Sequence, residues 1–152
     1  TGGTVPPTSG SVGGSLGWAQ ALMFSPAVDK DIYLQVPIPD NCDILSPIEI
    51  VLKYVMGTSD IGNVKLNFSY VVAGTSADVD PGAPNATLSD TFTPGLGLET
   101  KKQHSAFLVS AGFITSTNDI IIAQLQREGS HVADTHTGTF GLMSVEINYT
   151  KL

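Results

Sequence analysis

A serine among glycines near the start of the chain has the spacing of a catalytic motif. Residues 13–17, Gly-Gly-Ser-Leu-Gly, match G-x-S-x-G. In that motif a strand enters a sharp turn and a helix leaves it, which exposes the serine hydroxyl. Here a segment rich in Gly, Ser and Thr comes before the match, and an apolar, strand-like run follows it. The surroundings do not fit a nucleophile, and we expect no catalytic serine.

Imidazole and carboxylate groups occur together in the polar segment 127–137. His131 and His136 lie on either side of Asp134, whereas the third histidine, His104, is distant in sequence. These groups can ligate zinc, but a catalytic zinc site needs three protein ligands held rigidly. A separation of five residues fits neither one helix face nor one strand face. We interpret the segment as a polar loop in which Asp134 and Thr135 bond to their own backbone, with a pH-sensitive interface as the smaller alternative.

Three aspartates resemble a calcium loop only superficially. Asp78, Asp80 and Asp90 lie in or near the Gly- and Pro-rich segment 73–86. Calcium loops alternate acidic ligands with a glycine and end on a glutamate, and that spacing is missing here. We interpret Asp78 and Asp80 as turn residues before Pro81.

Glutamates and aromatic residues raise the question of carbohydrate chemistry. A glycoside hydrolase needs two facing carboxylates about 5–10 Å apart, and the strand pattern places Glu49 and Glu146 on outer faces instead. Trp18, Tyr33 and Tyr54 could stack on sugar rings, although core or interface packing is the commoner role of such residues. We therefore expect no catalytic, cofactor-binding or metal site. The glutamates considered for such a pair are Glu49, Glu99, Glu128 and Glu146.

Composition excludes several function classes. The 152 residues fit one domain, and 41% hydrophobic residues are too many for a disordered acidic chain. Only 14% of the residues are charged, against a usual share of about 25%. The net charge of −7 repels phosphate, so we expect no nucleic-acid partner. Apolar runs are strand-sized, well short of the roughly 20 residues that span a bilayer, and we expect no membrane partner.

The single cysteine, Cys42, excludes an intrachain disulfide and a multi-cysteine zinc site. A lone cysteine is most often a small buried apolar residue, and we predict that role for Cys42. Stability must then come from the core, from assembly, or from both.

The elements that carry these residues are predicted to be strands. The segment 64–72 alternates most clearly, because five apolar residues face one way and three polar residues the other. About eight such runs are separated by turn residues, and there is no convincing amphipathic helix. Short and long connections are mixed, which favours an all-β antiparallel sandwich of jelly-roll or Greek-key topology. The predicted runs are 18–24, 32–38, 48–56, 64–72, 87–93, 103–110, 120–126 and 138–149.

Residues 1–17 differ in composition from the remainder. They contain mainly Gly, Ser, Thr and Pro and offer little to bury. We predict a flexible arm or linker over 1–17 and a sandwich domain over 18–152. The arm either has no role or orders against a neighbouring subunit.

Several runs together resemble a known family. They include WAQALMF at 18–24, IYLQVPIPD at 32–40, IEIVLKY at 48–54, GNVKLNFSY at 62–70, LQREG at 125–129, ADTHTG at 133–138 and the closing run 142–149. Between residues 18 and 149 the chain resembles the jelly-roll domain of tailed-bacteriophage structural proteins, which include head-decoration, fibre and appendage proteins. The resemblance implies a β-sandwich that oligomerises, often as trimers, with other components of a virus particle. It carries over no catalytic residues.

The leading hypothesis is therefore a non-enzymatic structural protein of a virus particle that acts by homo-oligomeric assembly, with a trimer favoured. The low content of charged residues agrees with faces that are buried against neighbours. A carbohydrate-binding attachment module is the first alternative, with a surface glycan as partner. An extracellular filament subunit that joins its neighbours through the N-terminal arm is the second.

Overall fold

The computed structural model describes residues 8–12, 19–75, 82–96 and 101–152. The G-x-S-x-G match, Trp18, Asp78, Asp80 and Glu99 lie outside these residues. The described part contains nine strands and one short 3₁₀ turn, Ala111–Phe113. The strands are β1 (Thr8–Val12), β2 (Ala19–Phe24), β3 (Lys30–Pro37), β4 (Ile48–Met56), β5 (Val64–Ala73), β6 (Ala86–Phe92), β7 (Lys102–Val109), β8 (Ile120–Arg127) and β9 (Phe140–Asn148).

The strands form two antiparallel sheets, in the orders β1-β2-β9-β4-β7 and β3-β8-β5-β6. Across the two sheets, β5 pairs with β6, β4 with β7, β3 with β8 and β2 with β9, all antiparallel. The chain from β2 to β9 is thus one long hairpin whose nested strand pairs are distributed between the two sheets. That nesting defines a jelly roll. The all-β sandwich predicted from the sequence is confirmed, and its eight strands correspond to β2–β9.

The core lies between the inner faces of the two sheets. In β5 the alternation buries Val64, Leu66, Phe68 and Tyr70, as the period of two predicts. Opposite them, β4 contributes alternate residues from Ile48 to Met56. Phe68 stacks on Phe107 of β7 with ring centroids 5.0 Å apart. Aromatic pairs in offset stacks add to the stabilisation that burial itself gives.

One long edge of the sandwich is closed by side chains of β6 and β7. Asp90 of β6 is hydrogen-bonded to the imidazole of His104 of β7. That imidazole is stacked on Phe92, with ring centroids 3.8 Å apart. Phe92 in turn meets the edge of Tyr54 at 5.8 Å. These contacts join the last strand of one sheet to the last strand of the other.

Part of the N-terminal segment is a strand. Within 1–17, Thr8–Val12 forms β1, which pairs antiparallel with Ala19–Met23 of β2. Residues 1–7 and 13–17 lie outside the described residues, so the division into an arm and a domain stays a prediction.

Cys42 is buried, as predicted, and burial raises the pKa of its thiol, as does the nearby charge of Asp43. In the described ranges no helix is long and apolar enough to cross a membrane.

Candidate functional site: an anchored loop end and an open apolar groove

A buried arginine marks one end of the sandwich. In β8 the alternation that buries Ile121, Ala123 and Leu125 also places Arg127 on the inner face, at the end of the strand. The Arg127 side chain is fully buried. A charge in such a position costs several kcal/mol unless it is paired and fully hydrogen-bonded.

Every N–H group of the guanidinium has an acceptor. Nε and Nη2 donate to the two carboxylate oxygens of Asp134, at 2.9 and 2.7 Å. Nη1 donates to the carbonyl oxygens of Phe24 and Gly138, at 3.2 and 2.8 Å, and Nη2 also donates to the carbonyl oxygen of His136 at 2.8 Å. Arginine has five such donors, and all are used. Arg127 therefore ties the end of β2 to the loop between β8 and β9.

The same loop is bound to the start of β5. Oδ2 of Asp134 also accepts the backbone N–H of Lys65 at 3.0 Å. The backbone N–H groups of Thr135 and His136 both donate to the carbonyl oxygen of Asn63 at 2.9 Å, and the Asn63 N–H donates to Oγ1 of Thr135 at 2.8 Å. The interpretation of Asp134 and Thr135 as residues that bond to their own backbone is therefore wrong. The backbone groups that their side chains bind belong to Lys65 and Asn63, which are distant in sequence.

His136 and His131 do not form a joint site. The His136 imidazole is buried, and its Nδ1 accepts the Gly138 N–H at 3.0 Å, which assigns the proton to Nε2. Nε2 has no hydrogen-bond partner among the described residues. His131 is exposed, and its Nδ1 accepts the N–H of Ala133 at 3.0 Å. No group of three potential metal ligands occurs in the described part of the chain.

Charge and burial act on His136 in opposite directions. Burial lowers the pKa of the imidazole and is the largest cause, and the positive charge of Arg127 lowers it further. The carboxylates of Asp60 and Asp134 raise it. The net effect lowers the pKa, so the folded chain favours neutral His136.

The loop between β4 and β5 completes this end, which we call the anchored loop end (residues 57–63 and 127–139). Asp60 accepts the N–H of Thr137 at 2.7 Å and that of Gly62 at 3.1 Å, and these bonds lower its pKa to about 2. A Cβ atom at Gly62 would lie 2.4 Å from the carbonyl oxygen of Thr135. Only glycine fits so close to another backbone. The anchored loop end is interlocked, and its ionic pair is inaccessible to a substrate.

Among the described residues, the opposite long edge of the sandwich, between β2 and β3, is open. An apolar groove of about 430 Å³ lies there between the sheets. Its lining includes Ile32, Leu34 and Val36 of β3, which stay partly exposed. At its rim, Leu22 of β2 is 36% exposed and Met143 of β9 is 37% exposed. Several apolar side chains that lie side by side in one groove, rather than singly on the surface, are typical of an interaction site.

We call this groove the open groove. Beside it lies β9, a strand that is paired along only part of its β2 side. β2 pairs with β9 only through Leu22–Phe24 and Phe140–Leu142. β9 continues to Asn148 and pairs with β4 on its other side. In the described part of the chain, no strand pairs with β9 beyond Leu142 on the β2 side. Unpaired backbone groups of this kind are a template for another strand.

The remaining candidates from the sequence lie apart. Glu49 and Glu146 lie on the outer face, as predicted, where Glu49 accepts a hydrogen bond from Asn148 and Glu146 pairs with Lys53 at 3.5 Å. Tyr54 is buried and stacked on Phe140, and burial raises its pKa to about 12. It is therefore a core residue and cannot stack on a sugar. Tyr33, by contrast, is 75% exposed on the four-stranded sheet.

Sequence reasoning missed Arg127 and the open groove. The sequence does contain an indication for Arg127. It falls on the same face of β8 as the buried apolar residues, where a charged residue must be paired with an opposite charge. The groove had no such signal, since it depends on how far β2 diverges from β9.

Comparisons with known proteins give a distant likeness. No family model matches the chain, and no curated protein matches it. Two solved structures, of infectious bursal disease virus strains Gt and Gx, are similar at 15% sequence identity, with TM-scores of 0.32 and 0.34. Each comparison covers 81% of this chain and 30% of the other, so this chain matches less than a third of the length of those proteins. At that similarity no residue and no role is transferred from those proteins to this one.

Proposed function

We propose that the chain is a non-enzymatic structural protein of a virus particle and that it acts by assembling with copies of itself. The observation that carries the proposal is the open groove on a complete jelly roll. The resemblance to structural proteins of tailed bacteriophages supports the same role and favours a trimer and further virion partners. It also suggests capsid decoration or a tail appendage as the place of action.

The open groove supports assembly because it combines two kinds of unsatisfied surface. Its apolar lining gains free energy when water is removed, at roughly 25 cal/mol per Å² of buried apolar area. The adjacent free edge of β9 offers backbone hydrogen bonds to an added strand. A second copy of this chain supplies both kinds of partner, since it carries the same edge strands. Closed symmetric oligomers are the commonest outcome of such self-complementary contacts.

The charged groups support a non-enzymatic role. Arg127 and Asp134 have no exposed side-chain area, so they cannot meet a substrate. Asp90 and His104 bind each other across the closed edge. These polar clusters hold strands and loops in place, which is the function that a rigid building block requires.

Mass photometry and sedimentation velocity of the whole chain, over a concentration series, test the proposal. We expect a closed oligomer of fixed stoichiometry that stays intact at micromolar concentration. A chain that stays monomeric at all concentrations contradicts the assembly role, and an open-ended size distribution supports the filament alternative instead.

We also propose that the segment 1–17 is an arm that contributes to assembly. Deletion of residues 1–17 should lower the oligomer mass at a given concentration, because the deletion also removes β1. An unchanged oligomer mass together with an unchanged melting temperature contradicts a structural role for the arm.

A further inference from the structure

The geometry points to a binding site for an uncharged glycan on the outer face of the four-stranded sheet, centred on Tyr33. This face lies on the outside of the sandwich, on β3, β8, β5 and β6. It is distinct from the open groove, which lies between the sheets. The inference goes beyond assembly and does not depend on it.

Strand register brings amide and hydroxyl side chains into rows around Tyr33. In the central row Tyr33 lies beside Gln124, then Ser69, then Thr87. The row on one side contains Asp31, Gln126, Asn67 and Ser89, and the row on the other contains Gln35, Ile122 and Val71. Side chains opposite one another on adjacent strands are about 5 Å apart, so more than one of them can reach a hydroxyl group of the same sugar.

A shallow groove adjoins Tyr33. It has a volume of about 310 Å³ and is bounded on the far side by residues 82–84, just before β6. Val71 and Ile122 contribute apolar surface, and Gln124 and Ser69 contribute polar atoms. Small-molecule sites generally combine apolar and aromatic walls with a few placed polar groups.

Tyr33 supplies the stacking surface. Its side chain is 75% exposed, which is unusual for an aromatic residue in the middle of a paired strand. Tyrosine presents an apolar ring and a polar hydroxyl together. The apolar face of a pyranose can lie on the ring while its hydroxyl groups reach the neighbouring amides.

The near absence of ionisable side chains on this face favours an uncharged ligand. The three rows contain one ionisable carboxylate, Asp31, and that residue is only 9% exposed and accepts a hydrogen bond from Nε2 of Gln124. The bond also fixes the orientation of the Gln124 amide. No arginine or lysine is present in the rows to pair with a sulfate or a carboxylate on a sugar. The net charge of −7 repels acidic glycans as well.

The test begins with the whole chain on a glycan array. The array carries neutral oligosaccharides of glucose, galactose, mannose and N-acetylglucosamine, and a matched set bearing sialic acid or sulfate. We expect signal on neutral members and none on the acidic set. The neutral oligosaccharide with the highest signal is then titrated against the chain by calorimetry.

Two substitutions at Tyr33 identify the site. Tyr33→Ala should weaken binding about tenfold, because the stacking ring is lost, whereas Tyr33→Phe should stay within about threefold. Leu108→Ala, at a 58% exposed position on the other sheet, is the matched control and should leave binding unchanged. Both positions are exposed, so the unfolding midpoints of the three variants should agree and any loss of binding is local.

Three results overturn the inference. They are the absence of neutral glycan binding on the array, a preference for acidic glycans, and affinity that Tyr33→Ala does not change. A change in oligomer mass on Tyr33→Ala, without glycan binding, would instead identify the face as a protein contact. Oligomer mass is measured separately, so failure of the glycan site leaves the assembly proposal standing, and failure of assembly leaves the glycan site standing.

Discussion

The anchored loop end and the open groove differ in whether their polar and apolar groups find partners among the described residues. At the anchored loop end, all five N–H groups of Arg127 and both carboxylate oxygens of Asp134 find partners within the chain. At the open groove, no described residue covers the exposed parts of Leu22 and Met143 or pairs with the edge of β9 beyond Leu142. The first region is complete in one copy of the chain. The second leaves apolar side chains exposed among the described residues, and this difference is why we propose the groove, and not the loop end, as the surface that contacts partners.

The largest effect is expected from Arg127→Met. The substitution removes the cation and leaves the Asp134 carboxylate buried, and removal of one partner of a buried pair costs about 3–5 kcal/mol of unfolding free energy. Urea denaturation, followed by tryptophan fluorescence and circular dichroism, measures the change. Lys53→Met is the matched control, because it breaks the more exposed pair with Glu146 and should cost about 1 kcal/mol or less. Equal effects of the two substitutions would contradict the description of Arg127 as the anchor.

A smaller loss is expected when the interlock between the two loops is disturbed. Gly62→Ala would place Cβ 2.4 Å from a backbone oxygen of Thr135, so one loop must shift. Overpacking of this kind costs about 1–3 kcal/mol. Gly95→Ala is the control, since no described residue lies within 4 Å of its added Cβ and its φ is not positive. If the two alanine variants have the same urea midpoint, the loops are not interlocked.

The pattern of the sequence predicts the fold well because alternation depends only on which face of each strand is buried. All eight runs became strands, and Glu49 and Glu146 point outward as expected. Met143 breaks the alternation of β9. Lys53 pairs with Ser144 and Tyr54 with Leu142, so Met143 is the extra residue of a β-bulge and lies at the rim of the groove. A bulge depends on the partner strand, which the local pattern does not contain.

The site was harder to predict, for a related physical reason. Asp134 pairs with Arg127 in a segment whose next two residues, Thr135 and His136, donate their N–H groups to Asn63, more than 70 residues earlier in the chain. The spacing within residues 127–137 suggests local hydrogen bonds in a turn. Only the contact of this segment with the start of β5 shows that the bonds are formed elsewhere. The alternation of β8 does give one indication. Arg127 follows Leu125 on the buried face of the strand, and a buried cation needs a counter-charge inside the protein.

The anchored loop end should also respond to pH. Since folding lowers the pKa of His136, the unfolded chain binds a proton more readily, and stability falls as pH decreases below the unfolded value of about 6.5. We expect the urea midpoint to fall between pH 7.5 and pH 5. His136→Asn keeps an acceptor for the Gly138 N–H, does not titrate and should flatten this part of the profile. Val132→Asn, at an exposed position in the same loop, is the control and should leave the profile unchanged. A profile that is the same in all three chains contradicts the assignment of the pH response to His136.

The smallest effect on folding, with the clearest effect on association, is expected at the open groove. The double variant Leu22→Lys, Met143→Lys places two charges at the rim, where both side chains are already more than a third exposed. Because lysine can extend its ammonium group into water, the unfolding free energy of the single chain should change by about 0.5 kcal/mol or less. In an oligomer that buries the groove, the same charges would lose their water beside the charges of a second copy, and association should weaken by tenfold or more.

The control is Val132→Lys, because Val132 is 88% exposed in the loop between β8 and β9 and lies away from the groove. Mass photometry and urea denaturation on the same samples separate the two effects. If the rim charges leave the oligomer intact, the groove is not the assembly surface, and its apolar lining belongs to a different partner.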